Sequence, residues 1–155
     1  MRCFAMANTY SQVYIHIVHS TMGRLPLIHP DFRDELCMYI TGTVSKKRQK
    51  MIAINCVSDH IHYFLGLNTE LSISEVVRDI KRSSTCFIND KRLCPGEFKW
   101  QDGYGAFSYS HSQIDRVVRY IASQEEHHRR HTFQEEYIQF LKSFGVQYDI
   151  KYVFG

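Results

Sequence analysis

The stretch Asp59-His60-Ile61-His62-Tyr63-Phe64-Leu65-Gly66-Leu67 alternates with the two-residue period of a strand. Successive side chains of a strand point to opposite faces. His60, His62 and Phe64 therefore share one face, while Ile61, Tyr63, Leu65 and Leu67 share the other and point into a core. Residues 51–56 read as the strand before it, joined through Val57-Ser58-Asp59. Further upstream, residues 10–18 alternate again, with Val13, Ile15 and Ile17 on one face and Tyr14 and His16 on the other.

Between these strands lies a helical pattern. Pro30 suits a first helical turn, and Phe32, Leu36, Tyr39, Ile40 and Val44 recur at helical spacing. The basic run Lys46-Lys47-Arg48-Gln49-Lys50 closes this helix, where cations complement its dipole. Ser72-Ile73-Ser74-Glu75 is a capping box opening a second helix. Its buried stripe is Ile73, Val76, Val77, Ile80, Phe87 and Ile88, and Arg78, Lys81 and Arg82 face elsewhere.

Residues 106–110 read as a fourth strand. Ser110-His111-Ser112-Gln113 then caps a helix with the stripe Ile114, Val117, Val118 and Ile121. Thr132-Phe133-Gln134-Glu135 starts a last helix with Phe133, Tyr137, Phe140, Leu141 and Phe144 inward, and Gly145 ends it. Residues 146–154 read as a tail or edge strand, and residues 1–9, without periodicity, as a flexible N-terminal extension in which Met6 could equally be the start. The order β-α-β-β-α-β followed by two helices fits an α+β fold: a ferredoxin-like, RRM-like antiparallel sheet with helices on one face.

Composition bounds the rest. A chain of 155 residues and 18.3 kDa has room for one domain. Its 44% hydrophobic and 23% charged residues exclude a disordered or collagen-like chain. No apolar run approaches the roughly 18 residues of a membrane span, and the N-terminus lacks a secretory pattern, so a cytoplasmic protein is expected. A net charge of +3 argues only weakly for nucleic acid. Five cysteines with no Cys-x-x-Cys pair read as reduced, mostly buried thiols.

The chemistry begins with the histidines. Two imidazoles two residues apart on one strand face sit roughly 6–7 Å apart at the backbone. They can converge on one divalent cation at about 2.0–2.2 Å, or stand simply as two partly exposed histidines on a sheet face. A second constellation is Tyr120 and Gln124, four residues apart at the boundary of the buried helix face. A tyrosine hydroxyl, with an ordinary pKa near 10, is a poor nucleophile at neutral pH. Beside a divalent cation that polarises a phosphodiester its phenolate becomes accessible. A Gln124 carbonyl oxygen could complete the shell, and three neutral ligands would leave the ion a strong Lewis acid.

These residues carry a resemblance. His60-Ile61-His62, followed about sixty residues later by Tyr120-Ile121 and Gln124, resembles the single-tyrosine HUH transposases of small insertion sequences. Met6-Ala7-Asn8-Thr9-Tyr10, Ile54-Asn55, Ser72-Ile73-Ser74, residues 100–108, Gln124-Glu125-Glu126-His127-His128, Glu136-Tyr137 and Tyr148-Asp149 are similar to successive blocks of that family. The resemblance implies His60, His62 and Gln124 as ligands of Mg²⁺ or Mn²⁺, and Tyr120 as the nucleophile. It implies cleavage and rejoining of single-stranded DNA at the hairpin-bearing ends of a mobile element, through a 5′-phosphotyrosine link. It also implies a homodimer, in which the tyrosine can serve the histidine pair of the other subunit, working on DNA in a prokaryotic cytoplasm.

Lys46, Lys47, Arg48, Arg78, Lys81 and Arg82 are expected phosphate contacts. Trp100 and Tyr104 could stack on bases or fill the core, and His127, His128 and His131 read as a solvated, DNA-facing segment. Asp59 reads as a turn residue, with orientation of His60 as its other possible role. The competing reading is a domesticated relative or a non-catalytic RRM-like module, against which stands the lack of an RNP1-type aromatic strand. A histidine-triad phosphoesterase wants a third histidine where Phe64 stands.

Overall fold

Two antiparallel neighbours hold β1 (Tyr14–Ser20) at the middle of the sheet. The computed structural model describes residues 9–154, so the extension expected over residues 1–9 lies outside the described residues apart from Thr9. After β1 come α1 (Pro30–Lys46), β2 (Lys50–Cys56), β3 (His60–Gly66), α2 (Ile73–Asp90) and β4 (Gly105–Tyr109). Three C-terminal helices follow: α3 (Ile114–Ala122), α4 (Gln124–Arg130) and α5 (Phe133–Ser143). The sheet order is β2-β3-β1-β4, the split β-α-β arrangement, with every pairing antiparallel.

Both faces of the sheet are covered. On one, Ile15, Ile17, Ile61, Tyr63 and Leu65 pack against Phe32, Leu36, Ile40 and Val44 of α1 and against Val76, Val77, Ile80 and Ile88 of α2. On the other, Phe64 meets Val117 and Ile121 of α3, while Val18 and Phe107 meet Phe133, Tyr137 and Leu141 of α5. The alternation of β3 thus divides as its sequence predicts.

The caps form as expected. Ser72 Oγ accepts from the Glu75 amide, and the Ser72 amide donates to Glu75. Thr132 and Glu135 do the same for α5. At Ser110 the box caps a short 3₁₀ turn, His111–Gln113, so α3 starts later, at Ile114. Gly105 lies where a Cβ would stand 2.7 Å from a ring carbon of Tyr137 and 2.9 Å from one of Phe107. Only a glycine lets β4 and α5 approach this closely.

Three expectations change, and the alternative left open for Trp100 is decided. The first strand begins at Tyr14 rather than residue 10 and runs to Ser20: both neighbours pair with Tyr14–Val18, and β3 alone carries the pairing on through His19 and Ser20. Residues 146–154 form no strand: 146–149 are irregular and 150–154 are turns, since Asp149 turns the chain on itself, its side chain accepting from the Lys151 amide and its carbonyl from those of Tyr152 and Val153. Trp100 belongs to the core, its Nε1–H donating to Ser84 Oγ at 2.9 Å. Of the four cysteines described, only Cys56 is fully buried, and Cys86 is exposed. Among the described residues, no helix is long and apolar enough to cross a membrane.

Candidate metal and nucleophile site

β3 presents His60 and His62 to the face covered by α3, α4 and α5, and both rings are buried. His60 Nδ1 lies 2.7 Å from Asp59 Oδ1. A carboxylate can only accept, so Nδ1 carries the proton and Nε2 is left with its lone pair facing inward. Asp59 thus has the orienting role as well as its place in the turn. His62 Nδ1 is bonded to His16 Nε2 of β1 at 2.8 Å. His16 was legible only as a strand residue opposite the core face; its tie to His62 spans 46 residues.

Tyr120 and Gln124 arrive from the opposite side, though not on one continuous helix. α3 ends at Ala122 and the chain turns at Ser123, so Gln124 opens α4. Asn55 anchors this junction, its Nδ2–H donating to the Ile121 carbonyl at 2.9 Å. Gln124 is fully buried, with Oε1 3.4 Å from His60 Nε2. The Tyr120 ring stands edge-on to His62, centroids 5.9 Å apart, and 4.9 Å from the ring of His127. One chain therefore brings all four expected residues together.

A fifth group was missed. Glu136 of α5 reaches between the histidines, Oε1 lying 2.6 Å from His62 Nε2 and 3.8 Å from His60 Nε2. The closer contact is off the hydrogen-bond line, leaving His62 Nε2 and Glu136 Oε1 buried without a hydrogen-bond partner. Its sequence signal is an acid three residues beyond Phe133, inside the apolar stripe of α5.

The electrostatics follow from burial. Burial lowers His62, against the raising influence of Glu136. It lowers His16 further, aided by the neighbouring His62 and opposed by Glu136. Burial alone would raise the Glu136 carboxyl, but contact with His62 and His60 holds it at about 2. Burial and the charge of Glu136 raise the Tyr120 phenol well above its ordinary value, with Gln124 opposing them.

The donor set suits a divalent cation. His60 Nε2, His62 Nε2 and Glu136 Oε1 all lie within 4.8 Å of one another, and the Gln124 oxygen adjoins them. Unpartnered, buried imidazole nitrogen and carboxylate oxygen are what such an ion satisfies. Beside Tyr120 opens a cleft of about 790 Å³, lined by Tyr109, Arg116, His127, Phe140 and Phe144.

The remaining candidates lie elsewhere. Lys46, Lys47, Arg48, Arg78, Lys81 and Arg82 belong to α1, α2 and the turn after α1, across the sheet from the histidines. Lys47 pairs with Asp79 at 3.1 Å, and Arg48 lies 3.8 Å from Glu70. Lys81 Nζ donates to the carbonyls of Gln101, Asp102 and Gly103, and burial lowers it to about 8. Arg78 and Arg82 line a second cleft of about 530 Å³ with Lys81, Lys99 and Tyr104. His127 and His128 are half-buried rather than solvated; His128 Nε2 lies 3.4 Å from Ser58 Oγ.

None of the curated proteins matches the chain. Two solved structures share its fold. A candidate transposase of Deinococcus radiodurans R1 is 18% identical with a TM-score of 0.60, covering 76% of this chain and 95% of its own. A REP-associated tyrosine transposase bound to a REP hairpin is 16% identical with a TM-score of 0.58, covering 83% of this chain and 74% of its own. The family profile described as "Transposase IS200 like" matches residues 9–124, a span holding His60, His62, Tyr120 and Gln124. By that match over most of its length, the chain belongs to the IS200-like transposase family, and it is a DNA transposase.

Proposed function

We propose that this transposase cuts and rejoins single-stranded DNA at the ends of a mobile element through a 5′-phosphotyrosine link. The observation that carries the reading is the Tyr120 ring standing 5.9 Å from that of His62, with the Gln124 oxygen beside His60, in one chain. Tyr120 is the nucleophile: its Oη forms a bond to phosphorus as the bond to the 3′-oxygen breaks. The phenol loses a proton and the departing oxygen gains one, giving a free 3′-hydroxyl. Because the ester keeps the energy of the broken phosphodiester, a 3′-hydroxyl can reverse the step without ATP.

His60, His62 and Gln124 would hold Mg²⁺ or Mn²⁺, which when bound supplies a Lewis acid for the phosphate oxygen and favours the phenolate. Asp59 accepts from His60 Nδ1–H and so leaves the Nε2 lone pair of that ring facing inward, while the hydrogen bond between His16 and the far nitrogen of His62 fixes the orientation of the second ring.

The solved relative bound to a REP hairpin supports a hairpin-bearing strand as the DNA. The six cations are proposed phosphate contacts. Lys81, tied to three carbonyls, is the least available of them, and Arg78 and Arg82 line an open cleft. The cell compartment proposed is the cytoplasm. In a homodimer each copy would carry a complete site, which supports a tyrosine acting within its own subunit.

The test is incubation of the protein with single-stranded DNA flanking its own gene and Mg²⁺ or Mn²⁺. A covalent protein–DNA adduct is expected on a denaturing gel, and an adduct formed by Tyr120→Phe refutes the assignment. Mixing His60→Ala with Tyr120→Phe should restore nothing; recovered cleavage would show a site shared between subunits.

A further inference from the structure

The residues matched by the family end at 124, and Glu136 lies beyond them. Its side chain is 9% exposed, although a carboxylate is among the costliest groups to bury. A buried carboxylate persists where a positive charge offsets it. Among the described residues, its neighbours within ion-pair distance are His60 and His62 and no lysine or arginine. Those are the two rings whose Nε2 atoms approach the same carboxylate oxygen, at 3.8 and 2.6 Å. The carboxylate is thus aimed at the point on which the other donor atoms converge.

Local folding explains how it gets there. Thr132 and Glu135 start α5 one turn earlier, and Phe133 and Tyr137 anchor the helix against Val18 and Phe107. Glu136 sits between the two anchors and turns with them toward the sheet. Glu125 and Glu126 of α4 and Glu135 of α5 are exposed, so an acid near a helix start does not by itself go inward.

We propose that Glu136 is the fourth protein ligand of the cation, and its one anionic ligand. The inference rests on the metal-site reading above and extends it. The donor set becomes two imidazole nitrogens, one amide oxygen and one carboxylate oxygen. The carboxylate cancels one of the ion's two charges, and the oxygen half of the set favours hard cations such as Mg²⁺ and Mn²⁺. The C-terminal helix then becomes part of the metal site rather than only a cover over it.

Binding to the metal-free, full-length protein tests this without any turnover. Loss of the free Mn²⁺ electron paramagnetic resonance signal reads the dissociation constant directly. One ion per chain is expected, with Glu136→Gln weakening binding by about tenfold or more. His62→Ala, in the same assay, separates the two readings. If His62→Ala loses Mn²⁺ and Glu136→Gln binds within twofold of the unsubstituted protein, Glu136 is not a ligand and the histidine site stands. If His62→Ala binds as tightly as the unsubstituted protein, the metal-site reading itself fails. Should Glu136→Gln not fold by circular dichroism, Glu136→Asp carries the test. Its carboxylate is one methylene short and must weaken Mn²⁺ measurably; unchanged binding overturns the proposal.

Discussion

The two faces of the sheet are closed in opposite ways. Under α1 and α2 the contact is apolar, with Ile15, Ile17, Ile61 and Leu65 packed on Leu36, Ile40, Val77 and Ile80. Under α3, α4 and α5 the centre is polar: His16, His60, His62, Gln124 and Glu136, ringed by Phe64, Phe107, Phe133 and Phe140. The same four strands supply both, because alternate residues of each strand face opposite ways. The first face holds the fold, and that stability lets the second bury polar groups which packing alone would reject.

Substitutions should separate these duties. The largest effect is on chemistry: Tyr120→Phe should lower adduct formation by about 10³-fold or more. Its urea midpoint should barely move, since the half-buried ring stays and only a hydroxyl is removed. Leu36→Ala should do the reverse. It empties a fully buried position on the apolar face and should cost about 2–5 kcal/mol in urea unfolding. The adduct formed per folded molecule should be unchanged, and a specific loss of adduct would break the division of labour between the faces.

The smallest effect concerns pH and the apolar face's own exception, His19. This ring is fully buried beside Trp100 and Tyr63. Burial, then the charges of Lys81, His62 and His60, lower its pKa well below 6.5. Above the unfolded value of about 6.5 the ring is neutral in both states. Below it the unfolded chain takes up a proton that the folded chain refuses, so stability falls as pH falls. Each such group contributes a slope of at most about 1.4 kcal/mol per pH unit. His19→Gln should flatten the loss between pH 6.5 and 5 by up to that amount; an unaltered slope would show that His19 titrates normally in the fold.

Much of this was legible in the chain itself, for local reasons. The period of two in β3 separates the histidines from the core, and three capping boxes mark helix starts at or near their observed positions. The pair His60 and His62 needs only that period. Tyr120 and Gln124 needed a resemblance as well, and the break at Ser123 between them carries no glycine or proline to announce it. His16 and Glu136 acquire meaning only through tertiary structure. One depends on β1 lying beside β3, the other on α5 folding back over the sheet. The tail misleads in the other direction: Val146, Tyr148, Ile150 and Tyr152 alternate like a strand, yet Asp149 satisfies the local amides within its own turn.

The missing side chain at position 105 has a consequence at some remove. With Tyr137 pressed onto β4 where a methyl group would go, the seat of the last helix depends on an atom that is not there. A side chain at 105 would displace Tyr137 and, with it, the carboxylate one residue before. A library randomised at that codon should return one amino acid.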